Sequence, residues 1–194
     1  MLFSLDHDSL AEVVGEEDVH LLPEDTAAQY GFSGETLTFL TEVGIPSSED
    51  WEIPFGIPEA FDPDLVWDRA SRAERGWTFP EGVDKVVPIG NFPINAVVID
   101  PETGVVYQYT DATQELIPIH QDLSSLAKTV VSFVGYIDSF ERAEGEDPEH
   151  EDARRWQEVE ALMADIRRID PLPFAHAYSE WNELFDNLGT GIYT

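Results

Sequence analysis

The sequence predicts an α+β fold, an antiparallel β-meander covered by helices, in a single domain over residues 1–194. Three observations predict it. Four short β-branched or aromatic runs cluster between residues 83 and 120. Two later segments carry apolar residues in steps of three and four. Hydrophobic residues make up 42% of the chain, enough for a core, while no apolar run approaches the roughly 18 residues of a membrane span.

The elements follow in order. Asp6–Val14 is short and mixed, readable as a helical turn or an edge strand. Glu35–Val43 sets Leu37, Phe39, Leu40 and Val43 partly on one helical face, with Gly44 as a cap and Pro46 as a stop. Trp51–Phe61 carries Pro54 and Pro58 and reads as a loop with aromatic anchors. A short helix is expected near Leu65–Glu74, ended by Gly76 and Pro80. The strands are Val83–Gly90, Ala96–Asp100, Val105–Tyr109 and Leu116–His120. Asp100-Pro-Glu-Thr-Gly104 and Thr110-Asp-Ala-Thr turn the last three into a meander. Ile94, Val97, Ile99 and Val106, with Tyr107 and Tyr109, alternate in part, which places one face against helices. Asp122 is positioned to cap the next helix, with its stripe at Leu126, Val130, Phe133, Val134, Ile137 and Phe140. Trp156, Val159, Met163 and Ile166 form a second stripe, ended by Asp170-Pro171. Tyr178–Leu188 makes a last short helix, so the C-terminal helices span about 154–188.

Forty Asp and Glu against ten Lys and Arg give a net charge of -30, which disfavours contact with nucleic acid and anionic membranes. The charge is uneven: residues 1–68 hold 17 acidic and no basic side chains. Either this acidity serves solubility or it meets an electropositive partner. A second acidic run, Glu141–Asp152, contains Gly145 and Pro148 and reads as a solvated linker. The N-terminus lacks the basic and apolar regions of a secretory signal, so a soluble cytoplasmic protein is expected.

Chemistry is notable by its absence. There is no Cys, and no phosphate-binding or nucleophile-elbow motif. The five histidines, His7, His20, His120, His150 and His176, contain no i, i+4 pair and read as ordinary surface or strand-end residues. No catalytic, metal or cofactor-binding residue is nominated, and no cofactor is expected. Trp51, Phe55, Phe61, Trp67, Trp77 and Phe79 crowd the segment beside the acid-rich region, either as core beneath loops or as interface anchors.

Several motifs together resemble the fourth subfamily of the SUKH superfamily. Phe39-Leu40-Thr-Glu-Val-Gly44-Ile45-Pro46 is similar to its FLxxxGLP segment. Val86-Val87-Pro-Ile89-Gly90 resembles the strand that opens the SUKH core, and Val98-Ile99-Asp100-Pro-Glu-Thr-Gly104-Val105-Val106 its strand–DxxTG–strand hairpin. Leu123-Ser-Ser-Leu126, with the helix through Phe133, resembles its NxSLxxF segment. Ser179-Glu-Trp181 with Leu188 and Gly191 is similar to its ending. The likeness is firm over about residues 30–140. It departs at His120-Gln121-Asp122, where the family has Asn, and at about 141–153, an apparent acidic insertion. The resemblance implies a bacterial immunity protein that binds a cognate toxin, often a nuclease or deaminase, in the producing cell, without catalysis.

A basic toxin domain suits a partner of charge -30, with the chain a monomer or weak homodimer because self-repulsion opposes association. The expected contacts are Glu49, Asp50, Trp51, Glu52, Asp62, Asp64, Trp67 and Asp68. Their carboxylates lack nearby cations, and prolines and glycines mark loops. The alternatives are a regulatory or scaffolding SUKH-type module and, more remotely, a carboxylate-based hydrolase.

Overall fold

Short polar caps decide where the helices begin. The computed structural model describes residues 5–110, 112–141 and 147–193. Asp6 and Ser9 cap each other: the Asp6 carboxylate accepts the Ser9 N–H at 2.9 Å, and the Ser9 hydroxyl accepts the Asp6 N–H at 3.0 Å. That reciprocal cap makes the ambiguous first segment a helix, α1 (His7–Val14). Strand β1 (Val19–His20) leads to α2 (Glu24–Tyr30) and α3 (Gly34–Thr38), which widens into a π turn over Phe39–Val43. Gly44 closes that turn by donating its N–H to the Phe39 carbonyl at 2.8 Å, and β2 (Ile45–Pro46) then pairs with β1.

The main sheet has five antiparallel strands in sequence order. They are β3 (Trp67–Asp68), β4 (Lys85–Asn91), β5 (Ala96–Ile99), β6 (Val106–Thr110) and β7 (Glu115–His120). The expected α+β meander is present. It gains β3, which pairs Trp67 with Val86 and Asp68 with Lys85. The helix expected near 65–74 is shorter, α4 (Arg69–Ala73), because Asp62 and Asp68 cap two separate turns. In the β5–β6 hairpin the Asp100 carboxylate accepts the Glu102 N–H at 3.0 Å and the Thr103 hydroxyl at 2.6 Å. Gly104 takes φ 78°, where a Cβ would meet the Thr36 hydroxyl.

Both faces of this sheet are covered. The inner face, with Val87, Ile89, Val97, Ile99, Val106, Ile117 and Ile119, joins the main core with α5 (Leu123–Ser139), α6 (Pro148–Ile169) and α7 (Glu180–Gly189). The outer face holds Val86, Val98, Tyr107, Tyr109 and Leu116 beneath Phe79 and Val83. Residues 69–84 form a strap across it. Trp77 stacks on Tyr109 with centroids 3.4 Å apart, and Thr78 exchanges backbone hydrogen bonds with Gln114 and Leu116 at the β7 edge. Ile94 departs from the expected alternation: it sits in the β4–β5 turn and is 71% exposed, because Asn91–Asn95 reverses the chain before β5 begins.

The acidic run is a linker only in part. Residues 142–146 lie outside the described residues, but Pro148–Asp152 forms the first turns of α6, with Asp147 as cap and Pro148 in the first turn. Glu151 and Asp152 pair there with the buried Arg155.

His120 is not an ordinary strand-end residue either. It is fully buried. Its Nε2 accepts the Trp181 indole N–H at 2.7 Å, so the ring proton sits on Nδ1, 3.0 Å from the Ser125 hydroxyl oxygen. Asp170 accepts the Ser125 hydroxyl at 2.6 Å and the N–H groups of Gln121 and Leu172 at 2.8 and 3.0 Å. Burial lowers the His120 pKa and keeps the ring neutral. Burial alone would raise the Asp170 carboxyl. The interactions with His120, Ser125, Leu172 and Gln121 outweigh it and hold the group at about 2.

Two predictions follow from these shifts. Asp170→Ala strands three donors and is expected to cost about 3 kcal/mol or more, read by chemical denaturation. Both folded pKa values are depressed, so both contributions exist above the unfolded values and vanish as pH falls. The His120 contribution is complete above about pH 6.5 and declines below it; that of Asp170 declines from about pH 4 toward 2. The stability gap between wild type and His120→Gln should therefore narrow from pH 7.5 to pH 5. A constant gap would contradict a neutral buried imidazole.

Candidate protein-binding site

The eight residues expected at the interface divide into two groups. Ser48 and Ile53 exchange backbone hydrogen bonds at 3.0 Å and close a tight turn, completed by Glu52 N–H donating to the Glu49 carbonyl at 3.2 Å. Glu49, Asp50 and Glu52 project from its tip, exposed, and Glu52 takes the left-handed φ of 61°, uncommon for a side-chain-bearing residue. Trp51 turns back, half-buried, and meets Tyr193 edge-on at 6.1 Å. Behind the turn, Pro54 and Phe55 cross β4 at Gly90, where a Cβ would lie 2.4 Å from the Pro54 carbonyl oxygen.

The second group lies at the other end of β4. The Asp62 carboxylate accepts the Asp64 N–H at 2.9 Å, and the Asp62 N–H donates to the Tyr30 hydroxyl at 3.0 Å. The Asp68 carboxylate caps α4, accepting the Ser71 N–H at 2.9 Å and the Ser71 hydroxyl at 2.7 Å. These bonds hold its pKa below the usual carboxylate range. Trp67 lies on the outer face, edge-on to Trp77 at 5.2 Å, with the Arg72 guanidinium 4.2 Å from its ring and 4.8 Å from that of Trp77. Trp51 and Trp67 thus pack into different clusters. Gly90 and Lys85, which mark the two groups, stand about 17 Å apart along the strand at about 3.3 Å per residue. The eight residues form two patches.

Electrostatically the patches share one property. Among the described residues, none of Glu49, Asp50, Glu52, Asp62, Asp64 and Asp68 forms an ion pair. Several of the arginines are engaged elsewhere. Arg69 donates to the Pro80 and Val83 carbonyls and faces Asp84 at 3.5 Å, and Arg72 lies over two indoles. Arg154, Arg155 and Arg168 pair within α6.

Residue types associated with reaction chemistry meet instead in the core. Ser125, His120 and Asp170 carry the residue types of a nucleophilic triad, but all are buried, the serine proton points to the aspartate, and Trp181 occupies the second imidazole nitrogen. Among the described residues no three His, Asp or Glu side chains are grouped to hold a metal ion, and no helix is long and apolar enough to cross a membrane.

A family model described as SUKH-4 immunity protein matches residues 5–187, nearly the whole chain. The chain belongs to the SUKH-4 immunity protein family, whose general role is toxin immunity. No curated protein and no solved structure matches it. The motifs that carried the resemblance now have structural roles: Phe39–Pro46 is the π turn with β2, Asp100–Gly104 the side-chain-bonded hairpin turn, and Trp181 the partner of His120. Sequence reasoning passed over Tyr193. Its phenol is pushed up by burial and, against a hydrogen bond from Asn187, by the carboxylates of Glu52, Glu183 and Glu180. The Trp51–Tyr193 contact thus ties the Glu49–Glu52 turn to the C-terminal residues, which nothing in the local sequence signals.

Because Trp51 and Trp67 are half-buried, truncation is expected to cost about 1–3 kcal/mol each, less than for a fully buried Trp. Thermal midpoints of Trp51→Ala and Trp67→Ala check this. Loss of partner affinity beyond that shift marks a contact role.

Proposed function

We propose that the protein neutralises a cognate toxin by binding it in the cytoplasm of the producing cell, as a monomer or weak homodimer, and that the toxin domain is basic and acts on nucleic acid. The observation that supports this is the one-sided charge of residues 1–68. Seventeen carboxylates share that third of the chain with no Lys or Arg, and His7, 3.4 Å from Glu16, is too weakly basic to offset them. A domain that grips a phosphate backbone presents the opposite field, and occluding that face would block its substrate. Glu49, Asp50, Glu52, Asp62, Asp64 and Asp68 are the carboxylates assigned to steering, with Trp51 and Trp67 as anchors beside them.

Co-expression with the toxin domain encoded beside its gene tests the reading: growth should be rescued and a complex recovered. Absence of both overturns it. The on-rate should fall steeply as salt rises from 0.05 to 0.5 M while the off-rate changes little, since steering decays as the Debye length shrinks from about 10 Å at 0.1 M to about 3 Å at 1 M. A salt-insensitive on-rate, measured by stopped flow, would assign the acidity to solubility.

A further inference from the structure

The first turn of α7 and the β4–β5 turn enclose an open groove of about 520 Å³. At its base lies Glu180, only 4% exposed. One carboxylate oxygen accepts the Ile94 N–H at 2.9 Å. The other accepts the Asn95 N–H at 3.1 Å and the Asn95 side-chain amide at 2.7 Å. The Glu180 N–H in turn donates to the Gln108 side-chain oxygen at 2.8 Å. The carboxylate is thus fixed in place, yet among the described residues no Lys, Arg or His pairs with it. A buried carboxylate without a counter-charge is costly to keep ionised.

The rim repeats the sign. Glu183 and Asp186 line the groove, exposed. Two large apolar side chains stand among these polar lining residues. Ile94 at 71% and Tyr178 at 57% flank the opening. Ile192, 65% exposed, is tied by its N–H to the carbonyl of Asn187, another lining residue. These are the three most exposed large hydrophobic side chains among the described residues, and all three gather at this end of the molecule.

We propose that this groove receives an arginine side chain from a protruding segment of the toxin. The inference rests on the reading that the chain captures a basic partner, and it names where the desolvated contact falls. Arginine fits both parts of the surface. The N–H groups of its planar guanidinium can donate in a fork to Glu183 and Asp186 above the fixed Glu180 carboxyl group, while its stem and flat face pack on Ile94 and Tyr178. Lysine offers only a point charge and leaves the aromatic wall unused.

The test compares two substitutions of equal charge change, Glu183→Arg in the groove and Glu12→Arg on the exposed side of α1, binding the toxin domain encoded beside the gene. Glu183→Arg is expected to weaken the complex about tenfold or more through the off-rate, with Glu12→Arg altering only the on-rate. Equal effects of the two would overturn the groove while leaving toxin immunity intact. If the wild-type chain itself binds no such toxin, the immunity reading falls, and a second measurement still decides the groove. In amide-resolved NMR, a tri-arginine peptide should shift Ile94, Asn95 and the start of α7 saturably in wild type and in Glu12→Arg, but not in Glu183→Arg. Shifts spread over the acidic surface, equal in all three proteins, overturn the proposal.

Discussion

Trp181 donates its indole N–H to a histidine that is itself sealed from water, and much of the architecture depends on that contact. His120 ends β7, Ser125 starts α5, Asp170 follows α6 and Trp181 lies in the first turn of α7. Four elements spread over some sixty positions of the sequence therefore share one set of hydrogen bonds among core side chains. Such a network is satisfied only when every partner is in place, since each missing member leaves another group unpaired at a cost near or above 1 kcal/mol. Hydrophobic burial supplies the bulk of the driving force here, while the network restricts how α5, α6 and α7 can sit on the sheet. Phe92, Phe133 and Phe185 meet Trp181 edge-on or nearly so and fix its ring from the other sides.

Much of this was legible in the sequence, and the misses have physical reasons. The 3–4 spacing from Leu126 to Ile137 forecast α5, and Asp122 caps it by accepting the Ser125 N–H at 2.9 Å. The Asp-Pro-Glu-Thr-Gly turn follows from local chemistry alone. The helical first segment was ambiguous because its cap is a reciprocal pair instead of a hydrophobic pattern. Strand β3 was missed because two residues carry no periodicity, and its pairing with β4 depends on the strap between them. His120 gave no sign of burial, since its partners lie five, fifty and sixty-one positions away.

The surface was harder to read than the core. Sequence reasoning found a contiguous acid-rich stretch, but the fold carries its two halves to opposite ends of β4 and packs its tryptophans in separate clusters. Conversely, the fold brings Trp51 of the Glu49–Glu52 turn against Tyr193, more than 140 positions away. Net charge is a property that sequence reports well. Which charges share a face is decided by long-range packing, and no local pattern encodes it.

The strap over residues 69–84 limits how any partner can be recognised. Strand addition needs a row of unpaired backbone groups at a sheet edge. On the β7 side Thr78 takes the Leu116 N–H, Pro118 has none to offer, and Asp170 takes that of Gln121 just beyond. On the opposite side the sheet ends in β3, two residues long and continuing directly into α4. Backbone-led capture, indifferent to the side chains of the bound strand, is thereby hindered at both edges of the main sheet. What the molecule offers there instead is side chains on turns and helix ends, positions that can change without disturbing the sheet beneath.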